Sequence, residues 1–195
     1  MIELNESLYF SKGTTRKCFF HPEHDDLCIK IPLENEGKRT RGILRAISRE
    51  NKFYLKLKKQ KASWEHLSEY KGDVDTNFGR GSVYQLIRND DGEISTNLER
   101  YLQSNSPIEN SDELSNELDK LYNYMQKNRI LTTSLLPRNV VIQKLDGRVK
   151  LVIIDDIGNS EFIPVSQYMT SFAQRKIKRK WNGFKKRIQI LQSEK

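Results

Sequence analysis

The stretch that most constrains the fold is Leu131–Gly158, LTTSLLPRNVVIQKLDGRVKLVIIDDIG. Two β-rich apolar runs, Asn139–Gln143 and Lys150–Asp155, flank Asp146-Gly147, a dipeptide suited to the positive-φ positions of a tight hairpin turn. Pro137 stiffens the loop ahead of them, and the second run stops abruptly at Asp155-Asp156-Ile157-Gly158. Acids at the mouth of a buried strand are costly unless something cationic meets them. Antiparallel pairing carries Asn139, which opens the first strand, and Asp156, just past the second, to the same end of the hairpin. An amide oxygen and a carboxylate suit a hard cation such as Mg²⁺, commonly shared with substrate phosphates. A polar hairpin with a solvated end accounts for the same residues without a ligand.

The rest of the chain has to cover that hairpin, and 195 residues with 36% hydrophobic content suffice for one sizeable core or two small lobes. No apolar run approaches a membrane span, and Met1–Glu6 lacks the basic start and apolar run of a signal peptide. Two cysteines make neither a disulfide framework nor a zinc cluster. The expectation is a soluble, cytoplasmic protein with no transmembrane segment. The net charge of +8 concentrates in the tail, where Ser171–Lys195 carries nine Lys/Arg against one Glu, so that the remainder sums to zero. Ile177, Trp181, Phe184, Ile188 and Leu191 form one apolar stripe there. The stripe predicts a helix docked on the body with its charge in water. A nucleic-acid backbone, an anionic surface or an acidic partner is the less favoured use of residues 171–195.

Upstream, Leu8–Ser11, Lys17–His21, Leu27–Ile31, Tyr70–Asp75 and Ser82–Ile87 read as strands, and Thr40–Lys59 as a helix. Asn89-Asp90-Asp91-Gly92 breaks the chain, giving a β-rich lobe over 1–88 and a helical lobe over 89–195. In the second lobe Thr96–Ser104 reads as a short helix and Asn105–Asp112 as a polar loop. A longer helix carrying Leu114, Leu118, Leu121 and Met125 comes next. His21 and His24 sit in a Pro-containing turn and read as exposed loop histidines rather than metal ligands. Lys30 shares a strand face with Cys28, so its ammonium needs a carboxylate or a phosphate. Glu50 falls on the apolar stripe of Ile43, Ile47, Tyr54 and Leu57. Either it pairs with Lys30 or it sits at the margin and reaches water. Cys18 and Cys28 are equally far from Glu23, so a symmetric hairpin sets them opposite each other on the face of Lys30.

The order of these elements resembles a small α+β protein-kinase-like fold, with an antiparallel five-stranded N-terminal sheet, one helix and a shortened helical C-terminal lobe. From about Leu8 to Gln192 the chain resembles the bacterial YrbL family of the PhoP regulatory network, through RKCFFHPE, CIKI, NRILTTSLLPRNVV and DDIG. The kinase resemblance implies that Gly13 lies in the glycine-rich loop, with Lys12, Arg16 and Lys17 adding charge for phosphates. It implies that Lys30 holds nucleotide phosphates and is itself held by Glu50, and that Cys18 and Cys28 roof the adenine. Asn139 and Asp156 would place Mg²⁺ beside ATP.

The departures bear on activity. Ser134 occupies the position of the catalytic aspartate, and serine cannot accept a proton at neutral pH as a carboxylate can. The lysine of the usual loop is Leu136, and Asp155 is the nearest spare carboxylate to act as a substitute base. The remainder of the chain after Gly158 is too short for an activation segment and a full helical lobe. The expectation is a nucleotide-binding protein, either a weak atypical phosphotransferase or a pseudokinase with a regulatory role, whose phosphate acceptor or protein partner the residues do not identify. The alternative is a non-catalytic interaction protein whose basic C-terminal helix binds an anionic partner.

Overall fold

The computed structural model describes residues 1–33, 38–104, 111–158 and 170–193. Among these the chain is α+β, with a five-stranded antiparallel sheet and four helices. It divides into two compact units: Met1–Leu55 with Ser68–Leu86, and Lys56–Leu67 with Ile87–Lys195.

In the first unit, β1 (Tyr9–Lys12), β2 (Arg16–His21), β3 (His24–Pro32), β4 (Tyr70–Thr76) and β5 (Gly79–Gln85) lie in the order β1-β2-β3-β5-β4. Helix α1 (Lys38–Lys59) comes after β3 in the chain. Strand alternation sends Phe19, Ile29, Ile31 and Val83 to one face, where they form a core with Leu4. Gly81 is required here. A Cβ at that position would stand 2.6 Å from Ile31 Cδ1 and 2.7 Å from Ile29 Cγ2. The other face carries Cys28, Lys30, Ser82 and Tyr84, with the Tyr84 ring 5.6 Å from that of Tyr54 on α1.

Three expectations are corrected in this unit. The β2–β3 turn takes only Pro22-Glu23, and an irregularity at Phe20/His21 shifts the ladder, so Cys18 pairs with Lys30 and Cys28 with Phe20. The two cysteines are therefore diagonal rather than opposite. Because the displacement is an even number of residues, they still share the Lys30 face. His21 closes β2 instead of lying in an exposed loop; it is buried, accepts the Glu23 N–H at Nδ1 (3.2 Å), and its ring is 4.7 Å from that of His24. Burial, and then His24, lower its pKa. The basic character does not belong to the tail alone, because α1 also carries nine Lys/Arg against one acid, Glu50. The neutral balance outside the tail conceals it.

The second unit contains β6 (Thr96–Asn97), α2 (Leu98–Gln103), α3 (Ser111–Asn128), β7 (Val140–Leu145), β8 (Arg148–Ile153) and α4 (Thr170–Ser193). The expected loop over Asn105–Asp112 lies outside the described residues up to Asn110; Ser111 and Asp112 already belong to α3. Asn97 caps α2 by accepting the Arg100 N–H at 2.9 Å, which moves the helix start to Leu98. Strands β6, β7 and β8 form an antiparallel sheet in that order. Asp146 (φ 50) and Gly147 (φ 70) turn the β7–β8 hairpin, both in the left-handed region that such a turn demands. The ladder pairs Val140 with Ile153, which leaves Asn139 and Ile154–Asp156 outside the strands at one end. Lys56–Leu67 belongs to this unit because Ile153 N–H donates to the His66 carbonyl (2.9 Å) and the Tyr124 hydroxyl donates to that of Ser63.

Helix α4 buries Ala173, Ile177, Trp181, Phe184 and Ile188. The Trp181 ring lies 5.2 Å from Tyr122 on α3 and 5.2 Å from Phe184. Gly183 does not interrupt the helix, since packing outweighs a propensity cost of roughly 1 kcal/mol. No helix among the described residues is long and apolar enough to cross a membrane.

Candidate functional site

Two polar constellations are built, one in each unit. In the second unit, Asn139 ends a 3-10 turn, Pro137–Asn139, whose first residue is a proline that needs no N–H partner. Asn139 Nδ2 donates to Asp156 Oδ2 at 2.8 Å. The hairpin thus brings together the amide and the carboxylate that alternation predicts. Asp156 has φ 61, a left-handed conformation that Asp tolerates better than most residues but at a cost. A clasp of main-chain bonds over-determines it. Thr133 N–H donates to the Asp156 carbonyl (2.8 Å), Gly158 N–H to that of Leu131 (2.8 Å), and Ile154 N–H to that of Asn139 (2.9 Å). Thr132 and Ile157 form an isolated antiparallel bridge alongside.

Ser134 comes directly after this clasp and is half-buried. Asp155 Oδ1 accepts the N–H of Asp156 at 2.9 Å, so one oxygen of the expected substitute base is engaged within its own turn. The donor set of Asn139 and Asp156 suits a hard cation. No group of three or more His, Cys, Asp or Glu able to hold a metal occurs among the described residues. A cation at Asp156 would therefore rely on water and ligand oxygens for the rest of its shell, as Mg²⁺ does with phosphates.

In the first unit the relevant face of the sheet is a buried polar network. Glu50 is 8% exposed, which removes the reading that placed it at a watery margin. Arg16 Nη1 meets Glu50 Oε2 at 2.8 Å and donates to the Tyr84 hydroxyl at 3.3 Å. That hydroxyl donates to Asn51 Oδ1 (3.1 Å), and Asn51 Nδ2 donates to Asp73 Oδ1 (2.9 Å) and Ser82 Oγ (3.1 Å). The Tyr70 hydroxyl donates to the same Asp73 oxygen at 2.7 Å, and burial followed by that hydrogen bond raises its pKa. Lys30, 7% exposed, holds its ammonium 4.7 Å from the centre of the Tyr84 ring, within cation–π range. Arg16, expected to add charge for phosphates, is instead buried inside this network.

Cys28 is buried beside Lys30 and Cys18 half-buried opposite it, neither of them in a disulfide. Gly13 N–H closes the β1–β2 turn on the Arg16 carbonyl at 2.8 Å. A Cβ there would meet nothing nearer than that oxygen at 3.7 Å, so the turn itself does not demand glycine.

The whole length of the chain also has known relatives. Residues 2–189 match the family model described as PhoP regulatory network protein YrbL. The YrbL protein of Escherichia coli (strain K12) is 35% identical over 185 residues, covering 94% of this chain and 86% of its own length. That of Shigella flexneri matches to the same extent. The chain belongs to the YrbL family.

Two side chains of this YrbL-family chain have places that the sequence expectations do not include. Arg16, expected at phosphates, is found on Glu50, and the bulge that sets the β2 register is not visible in a hairpin assumed symmetric. Lys180, on α4, donates from its ammonium to the Thr133 carbonyl at 2.5 Å, beside Ser134 and Asp156. Lys176, one turn earlier, is buried. The signal was present: Ala173, Lys176, Lys180 and Phe184 are spaced three, four and four residues apart, which puts both lysines on the buried stripe.

The second unit also has a concavity of about 600 Å³ lined by Glu65, His66, Glu117, Lys120 and Arg148. Two of its polar contacts are internal: Glu117 with Lys120 (2.6 Å), and His66 Nδ1 with the Leu151 carbonyl (2.7 Å). The strained, clasped Asp156 is the stronger candidate on physical grounds.

Proposed function

We propose that this YrbL-family protein is a kinase-like nucleotide-binding protein with a regulatory role in a PhoP-linked network. The observation that carries the reading is the Asn139–Asp156 pair, at 2.8 Å, with Asp156 held at positive φ by the Thr133 and Gly158 bonds. Strain of that kind persists at sites whose geometry is used. In this reading Asn139 and Asp156 hold Mg²⁺, which would neutralise nucleotide phosphates. Within the first unit, the candidate phosphate cation is Lys30, with Glu50 and Arg16 fixing the charge around it, and Cys18 and Cys28 are candidate small apolar contacts for a base. Gly13 belongs to a turn free to approach phosphates.

The absence of a carboxylate at Ser134 and the engagement of Asp155 Oδ1 by a backbone N–H favour binding over turnover. Mg-ATP should raise the melting temperature of the parent, because a ligand that binds only the folded state stabilises it by mass action. Lys30→Ala and Asp156→Ala should each abolish that shift. Equal stabilisation of parent and both variants would refute the assignment.

A second reading rests on α4, whose outward side exposes Arg175, Lys178, Arg179, Lys185, Lys186 and Arg187. In that reading the helix binds an anionic partner and nucleotide has no effect. If the partner is a nucleic-acid backbone, binding falls steeply as salt rises.

A further inference from the structure

We propose that Lys180 is the cation that receives the terminal phosphoryl group of a nucleoside triphosphate at the Asn139–Asp156 site. This rests on the nucleotide reading above and names a residue that reading does not contain.

The charge on α4 is distributed unexpectedly. Its solvent side already carries six exposed Lys and Arg residues. Lys176, which is buried, and Lys180, which is half-buried, nevertheless lie on the inward stripe between the fully buried Ala173 and Phe184. Leucine or methionine at those two positions would pack without desolvating an ammonium and without placing like charges one turn apart. A local choice that costs stability without an evident gain marks a functional position.

The surroundings indicate what the gain is. A lysine ammonium has three donors. Among the described residues, the hydrogen bond of Lys180 goes to a single neutral acceptor, the Thr133 carbonyl. The same Thr133 donates its N–H to the Asp156 carbonyl at 2.8 Å, so one residue of the clasp tethers the ammonium to the strained aspartate. Burial, Lys176, Arg179 and Arg187 all lower the pKa of Lys180, and Asp156 raises it. An anion arriving beside the Lys180 ammonium would give it a charged acceptor in addition to the Thr133 carbonyl. With a metal ion on Asp156, that anion must have oxygens to share with the metal. A terminal phosphoryl group meets both conditions.

The test compares Mg-ATP with Mg-ADP, binding measured by titration calorimetry, in the parent, Lys180→Met, Lys180→Arg and Lys178→Met. Lys180→Met should weaken Mg-ATP roughly 10- to 100-fold, the range for one charge-assisted hydrogen bond, and leave Mg-ADP within about 3-fold. Lys180→Arg should recover part of the ATP preference, and Lys178→Met, on the solvent side, should change neither nucleotide. Should Lys180→Met fail to fold, Lys180→Gln keeps a donor for Thr133 and carries the same comparison. Equal loss of both nucleotides would assign Lys180 to holding the loop and overturn the proposal, as would no loss at all. A parent that binds neither nucleotide overturns the nucleotide reading itself, and that outcome is distinguished by the silence of the unmodified protein.

Discussion

Helices α1 and α4 have nearly the same composition and use their charge in opposite ways. Each is strongly basic, and each docks by a stripe of apolar residues. On α1 the inward stripe carries one acid, Glu50, and the basic residues Arg41, Arg45, Arg49 and Lys52 stay in water. On α4 the inward stripe carries two of the cations themselves. The acid on α1 meets an arginine from the sheet, so its burial completes an ion pair. The ammonium of Lys180 meets a carbonyl, which leaves its charge uncancelled at that bond. The strong positive charge that the two helices share says nothing of this difference; position on the helical wheel says most of it.

The largest effect should come from breaking the α1 pair. Glu50→Ala leaves the Arg16 guanidinium buried, and a loss of about 4 kcal/mol in chemical denaturation is expected for removing one partner of a buried pair. A loss below about 1 kcal/mol would show that water reaches Arg16 freely. Next comes the apolar anchor of α4. Ile188→Ala, at a position 4% exposed, should cost about 3 kcal/mol if the helix is docked through that stripe, and close to nothing if it is free.

A smaller and more diagnostic effect concerns pH. The folded-state pKa of Lys180 is lowered, so the unfolded chain holds the proton more tightly. Its charge penalty is present in full below the folded pKa and fades as pH climbs from there towards the ordinary lysine value. The stability of the parent relative to Lys180→Met should therefore rise with pH across that alkaline window. A difference that is flat with pH would mean that the ammonium is as well solvated as in the unfolded chain. The smallest effect should be found on the outer face of α1. Arg45→Glu turns two repulsive pairs at i,i±4, with Arg41 and Arg49, into attractive ones and should stabilise by roughly 0.5 kcal/mol, measurable as a slight rise in melting temperature.

How far the sequence could be read depended on whether a pattern determined geometry without help from tertiary packing. Asp146-Gly147 has few conformations open to it, so the hairpin was legible, and with it the approach of Asn139 to Asp156. Glu50 was legible as an acid on an apolar stripe, and it is buried. Its ion-pair partner Arg16 was not legible, because the ladder irregularity at Phe20/His21 shifts β2 against β3 and also moves Cys18 from Cys28 to Lys30. Lys180 is hidden for a different reason: Lys176 and Lys180 fall on an apolar stripe as Glu50 does, but they are embedded in a run of basic residues most of which face water. The clasp around Asp156 is made of main-chain bonds, which no side-chain pattern reports.

The packing of Trp181 against Tyr122 has an optical consequence. The chain has two tryptophans, Trp64 and Trp181, and both fall in the second unit, whereas the first unit holds the tyrosine trio Tyr54, Tyr70 and Tyr84. Indole emission is thus a private reporter of the second unit, whereas near-ultraviolet tyrosine dichroism reports on both, with four tyrosines in each. Melting followed at both signals would separate one cooperative transition from two. A nucleotide engaging Asp156 and Lys180 should shift the indole curve.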